Sequence, residues 1–164
     1  MWHEIIIFFH KILKMKQLQI FIITISLFFS KNIAAQSDYF LAVGVRAGNP
    51  LAVDGKYYFA DAHAVQAIVG LQYPRGWGLT GLYQYNGDFN WRGEMNWFVG
   101  AGGSVMLNRD AVFSVGADLI LGIEYTFPTM PLNFALDWKP TYCNYPKNNL
   151  QLEQAAITLR YALK

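Results

Sequence analysis

From Tyr39 onward the chain alternates apolar and polar residues, and no stretch holds apolar positions at the spacing of a helix face. The alternating runs are separated by "GNP", "DAH", "PRGW", "NGDFNWRGE", "NRD", "PTMP" and "PTYCNYPKNN". Each contains Gly, Pro, Asn or Asp, the residues that turns favour. The pattern predicts about eight strands: Tyr39–Gly48, Leu51–Ala60, Ala64–Tyr73, Gly78–Tyr85, Met95–Leu107, Ala111–Phe127, Leu132–Lys139 and Gln151–Leu163. No fixed-length repeat and no linker divides them.

Successive side chains of a strand point to opposite faces. One face of the sixth strand reads Phe113, Val115, Ala117, Leu119, Leu121, Ile123, Tyr125, Phe127, and the other reads Ser114, Gly116, Asp118, Ile120, Gly122, Glu124, Thr126. The fifth, seventh and eighth strands divide in the same way. A soluble sandwich or lipocalin-like barrel would turn the apolar face inward, and a membrane barrel would turn it outward. The polar faces are rich in Gly, Ser, Ala and Thr and carry few charges, which suits a crowded lumen better than a wet exterior. Tracing the chain up and down also collects Tyr39, Phe59, Tyr85, Trp97, Tyr125, Phe127 and Tyr161 at one rim, where interfacial aromatics belong. Trp138, beside the last loop, is a further interface anchor.

The expected fold is therefore all-β: a single eight-stranded antiparallel up-and-down transmembrane β-barrel. Arg46, Asp54, Lys56, Asp118, Glu124, Asp137, Lys139 and Arg160 then point into the lumen, four of each sign. A barrel of about eight strands has an interior that side chains fill, so these charges are expected to pair. Leu82, Phe98, Met106 and Ile120 fall on the same inner face and favour a filled interior.

Composition adds a leader. Hydrophobic residues make up 54% of the chain and charged residues 15%, against about 25% charged in a typical soluble domain. Residues 1–35 contribute to this: Lys16, the apolar run Leu18–Phe29 and the small residues before Gln36 read as a signal peptide cleaved after Ala35, with Met15 as the true start. Four of the 13 basic residues and one of the 11 acidic residues lie in that segment. The barrel region 36–164 keeps nine against ten, which gives no electrostatic case for nucleic acid.

Candidate chemistry is sparse. Cys143 is the sole cysteine, placed in a loop expected to be open to reagents, and His63 reads as a turn residue. "GAGGSV" at 100–105 lacks the third glycine of a nucleotide loop and precedes no helix. Ser104 and Ser114 have no evident base. No catalytic, cofactor or metal residue is predicted, and no enzyme activity.

The segments "LAVGVRAG", "GKYYFADAHAVQAIVGLQY", "LTGLYQY", "MNWFVGAGGSV", "GADLILGIEYTFPTMPLNFALDWKP" and "ITLRYALK" resemble small outer-membrane β-barrel proteins common in Bacteroidetes-type bacteria. The resemblance covers nearly all of Asp38–Lys164. It implies location in the cell outer membrane, with outer-membrane lipid and the outer-membrane assembly machinery as partners, and contains no catalytic motif. The expected role is a plugged barrel, structural or acting through surface loops. The alternatives are a narrow channel for ions or small solutes and a soluble secreted β-barrel binding protein.

Overall fold

The structure, a computed structural model, describes residues 39–72, 76–89, 94–108, 113–143 and 148–163. Residues 1–35, where a signal peptide, its cleavage point and a true start at Met15 are expected, lie outside the described residues. The strands are β1 (Leu41–Gly48), β2 (Leu51–Ala60), β3 (His63–Gln72), β4 (Gly76–Asp88), β5 (Met95–Asn108), β6 (Phe113–Thr126), β7 (Leu132–Trp138), β8 (Thr141–Cys143), β9 (Asn149–Gln151) and β10 (Ala155–Leu163). Neighbours run β5–β4–β3–β2–β1–β10–β7–β6, and β6 pairs back onto β5. The long strand β6 pairs with β7 along Leu121–Thr126 and with β8 along Gly116–Asp118. β7 with β8, and β9 with β10, therefore make one barrel strand each, and the ten pieces form a closed eight-stranded antiparallel barrel.

Both interruptions have local causes. Leu121 pairs with Trp138 and Asp118 with Thr141, so the register does not slip across Lys139 and Pro140. Pro140 has no N–H to give to the ladder, although its carbonyl still accepts from Leu119 N at 3.0 Å. Between β9 and β10, three residues (152–154) face two (139–140) on the partner, as in a β-bulge. The bulge shifts the alternation so that Gln154 faces inward while Leu152 and Glu153 stay exposed.

Call the end that holds Tyr39 and Leu163 the lower end. There residues 61–62, 89–94 and 127–131 connect successive strands; at the upper end the connecting residues are 49–50, 73–75, 109–112 and 144–148. The nine-residue break expected at "NGDFNWRGE" is thus six residues, because β4 continues to Asp88. Asn86 and Gly87 favour turns by type, yet here each has a strand role. The Asn86 side chain faces the lumen and is hydrogen-bonded there. Gly87 lies beneath the Trp97 ring, where an added Cβ would come within 2.3 Å of the indole.

The lumen is filled. Ala52, Ile68, Leu82, Phe98, Ile120 and Ala135 form one buried apolar cluster, and Tyr39, Ala42, Tyr58, Ala64 and Ala162 form a second at the lower end. The outward faces carry the large apolar side chains, among them Val45, Val53, Leu71, Leu119, Leu136 and Leu159. The soluble-barrel alternative needed that face as its core, and the structure turns it outward.

Candidate functional site: the lumen charge network

All eight charges singled out in the sequence are buried inside the barrel and paired: Arg46 with Asp137, Lys56 with Glu124, Lys139 with Asp118 and Arg160 with Asp54, and Arg160 with Glu124 as well. Strand alternation puts each on the inner face, and register decides which partner it meets.

The lower cluster spans the lumen. β2 and β6 lie four strands apart in either direction around the barrel, so they face each other. Glu124 of β6 crosses to accept from Lys56 Nζ at 2.9 Å and from Tyr58 Oη at 2.6 Å, both on β2. Lys56 also donates to Asn86 Oδ1 at 2.7 Å, and its ammonium lies 4.7 Å from the Phe98 ring centroid. Tyr58 donates to the same Asn86 oxygen at 3.1 Å. Tyr39 packs edge-to-face on Tyr58 at 5.3 Å and reaches Glu124 at 3.4 Å.

A second chain of hydrogen bonds runs around the wall. Gln84 donates to Gln66, Gln66 to Asp54, and Arg160 to Asp54. Arg160 Nη1 donates to Asn133 Oδ1 at 3.0 Å, and Asn133 Nδ2 to Thr126 Oγ1 at 3.0 Å. Arg160 and Asp54 stand on β10 and β2 with β1 between them, and the β1 residue in register with both is Gly44. A Cβ on Gly44 would fall 1.9 Å from the Leu159 carbonyl oxygen. The bare glycine lets the pair close over β1. Arg160 also lies 3.6 Å from Glu124, which joins this chain and the lower cluster.

At the upper end Lys139 Nζ donates to Asp118 Oδ1 at 2.7 Å and to Thr141 Oγ1 at 3.0 Å, and Arg46 pairs with Asp137. Burying eight charges is costly unless each is paired, and pairing with added hydrogen bonds offsets that cost.

The rim aromatics divide differently from the sequence expectation. Phe59, Trp138 and Tyr161 are exposed on the outer face, and Tyr85, Trp97, Tyr125 and Phe127 are half-buried there. Tyr39 is a correction: it is 3% exposed and forms the floor of the lumen. The ladder begins only at Leu41, and a bend at Phe40 exchanges the two faces, so Phe40 is exposed in its place. Trp138 is in register with Leu121, near the middle of the wall and not at a rim, whereas Trp77, Phe113 and Tyr142 are exposed towards the upper end, a second group of aromatics that sequence reasoning missed. His63 begins β3 instead of occupying the turn, stacks on Phe59 and Tyr83, and shares a 2.6 Å hydrogen bond with the Tyr83 hydroxyl. Cys143 is also corrected: β8 extends alternation into the expected loop and turns the thiol inward, where it is buried. Gln66, Gln84, Asn86, Asn133 and Tyr58 were missed although inward parity marks them, because only charges were singled out.

No protein-family model matches this chain, and no curated protein matches it. Fold and lumen geometry therefore carry the functional argument.

Proposed function

We propose that this protein is a small integral outer-membrane β-barrel with a plugged polar lumen and a structural role in that membrane. The observation that supports this most is the inversion of burial: paired charges inside, and an outer surface of large apolar side chains. Exposed apolar area on this scale favours transfer out of water by about 25 cal/mol per Å². The band also has a fitting height. Trp97 lies near the lower rim, and Leu107, ten residues on, pairs with Trp77 at the upper rim. At about 3.3 Å per residue and a tilt of roughly 40°, that span projects to about 25 Å, the height of the apolar band of outer-membrane barrels.

The plug follows from the Lys56–Glu124 cross-link and the filled lumen, which argue against the narrow-channel alternative. The strand ends leave two to five residues for each upper connection, so a structural role is preferred to one based on surface loops. Cell fractionation tests the location: the protein should sediment with outer membranes and need detergent for extraction. Recovery of folded barrel in detergent-free buffer would refute the membrane reading. In a planar bilayer the refolded protein should show no steady conductance, and a stable open level would replace the plug with a channel.

A further inference from the structure

We propose that the lower end of the lumen is a binding socket for a neutral phenol, and that the chain fills it with its own Tyr39. The inner face here is built from small residues on adjacent strands. Ala162 of β10 is in register with Ala42 of β1, and Ala64 of β3 with Tyr58 of β2. The three alanines are buried and form one apolar cluster with Tyr39 and Tyr58. Elsewhere the lumen is filled by long side chains such as Arg46, Gln66 and Phe98. Methyl groups leave a recess instead, and one ring occupies it.

The walls of the recess select a ring that carries a donor. Tyr58 meets the Tyr39 ring edge-to-face at 5.3 Å, a favourable aromatic geometry. Glu124 Oε1 lies 3.4 Å from the Tyr39 hydroxyl and also accepts from Tyr58 at 2.6 Å. A carboxylate only accepts, so it favours a hydroxyl that donates and repels an anion. Lys56 is committed to the cross-lumen lock, with Glu124 at 2.9 Å and Asn86 at 2.7 Å, and does not reverse that preference.

Tyr39 reaches the socket from outside the ladder. The first ladder pair is Leu41 with Leu163, and the bend at Phe40 turns the ring inward. The backbone is anchored one residue later: Phe40 N donates to Leu163 O at 3.3 Å, and Phe40 O accepts from Tyr58 N at 2.8 Å. Truncating the Tyr39 side chain therefore removes no ladder bond and leaves the socket walls in place. A dry cavity of ring size inside a protein takes up a free aromatic molecule, and a ligand that binds only the folded state raises its stability. The proposal does not depend on the membrane reading, since it can be tested in detergent or in plain buffer.

Tyr39→Ala in the refolded barrel empties the socket. Its urea midpoint should fall, and p-cresol, the free form of the missing side chain, should raise it again in a saturable way while leaving the parent unmoved. Toluene lacks the hydroxyl and should restore less; p-toluate places an anion against Glu124 and should restore nothing. A folded alanine variant with the parent midpoint, or one that ignores p-cresol, overturns the socket. Equal restoration by toluene or p-toluate overturns its preference for a phenol. If the alanine variant does not fold, the parent and Tyr39→Phe decide the matter. The parent should show nuclear Overhauser contacts from the Tyr39 ring to the methyl of Ala64 or Ala162, and Tyr39→Phe should keep such contacts with a lowered midpoint. Missing contacts in the parent overturn the socket, and a parent-like midpoint in Tyr39→Phe overturns the role of the hydroxyl.

Discussion

Glu124→Gln removes one charge from the contact that ties β2 to β6 across the lumen. Glu124 accepts from Lys56 at 2.9 Å and from Tyr58 at 2.6 Å, and is buried. The substitution leaves Lys56 as a buried cation with Asn86 Oδ1 as its remaining close partner, at 2.7 Å. Breaking one side of a buried pair costs roughly 3–5 kcal/mol, most of it from the charge left behind. Arg160, 3.6 Å from Glu124, loses the same carboxylate but keeps Asp54. Two features moderate the loss: a glutamine oxygen still accepts from Tyr58, and Lys56 keeps its aromatic contacts at 4.7 and 4.8 Å.

The assay is reversible urea unfolding of the refolded barrel. With a slope of about 2 kcal/mol/M, a loss of about 4 kcal/mol lowers the midpoint by about 2 M. Lys56→Met should cost less, because the Glu124 carboxylate keeps its Tyr58 hydrogen bond and Arg160 at 3.6 Å. The double variant should lose clearly less than the two single losses added together, because neither charge is then left alone. If Glu124→Gln stays within about 0.5 kcal/mol of the parent, the range of an ordinary surface substitution, or if the double variant is additive, the pair is solvated and the lock as described does not exist.

Three further predictions test other parts of the reasoning. Leu119 is 60% exposed in the middle of β6, so Leu119→Arg should destabilise the barrel in lipid by about 2–4 kcal/mol if that face meets acyl chains; full tolerance in a lipid unfolding assay would count against the membrane reading. Gly44→Ala should cost about 1–3 kcal/mol by pushing β1 and β10 apart, read in the same urea titration, and a parent-like midpoint would show that the close approach is unimportant. Buried Cys143 should resist an impermeant thiol reagent on whole cells, whereas Asn148→Cys in a Cys143→Ala background should label if the upper end faces outward; rapid labelling of Cys143 itself would contradict its inward placement.

Much of this architecture was legible because strand alternation has a period of two and the barrel obeys it within each ladder. Parity alone put Asp118, Glu124, Asp137 and Arg160 on inner faces, and the structure places them there. The failures sit where the ladder stops or slips. Tyr39 shares parity with Val43 but lies before the first ladder pair, beyond the bend at Phe40. Leu152 shares parity with Thr158 and Arg160 yet is exposed, because of a bulge that no residue type announces. Asn86 and Gly87 look like turn residues, yet they pair in register with Phe98 and Trp97 on β5 and so belong to a strand. Partner choice was not legible either. Glu124 and Lys56 are 68 residues apart, and parity says that both point inward without saying that their strands face each other.

Register also explains why a lumen this small can hold eight charges. Each pair needs its two side chains at a compatible height with no bulk between them, and the inner faces supply this with Gly and Ala. Gly44 stands in register between Asp54 and Arg160, and Gly122 is in register with Asp137. A Cβ on Gly122 would come within 2.5 Å of the Phe98 ring, the ring that flanks Lys56. The small residues and the charges are thus two parts of one packing solution. A slip of one residue between neighbouring strands would turn one strand's charges onto the apolar face and leave their partners alone inside. Paired charges in the lumen therefore act as a check on register, and a lumen lined only by apolar side chains would tolerate such slips more readily.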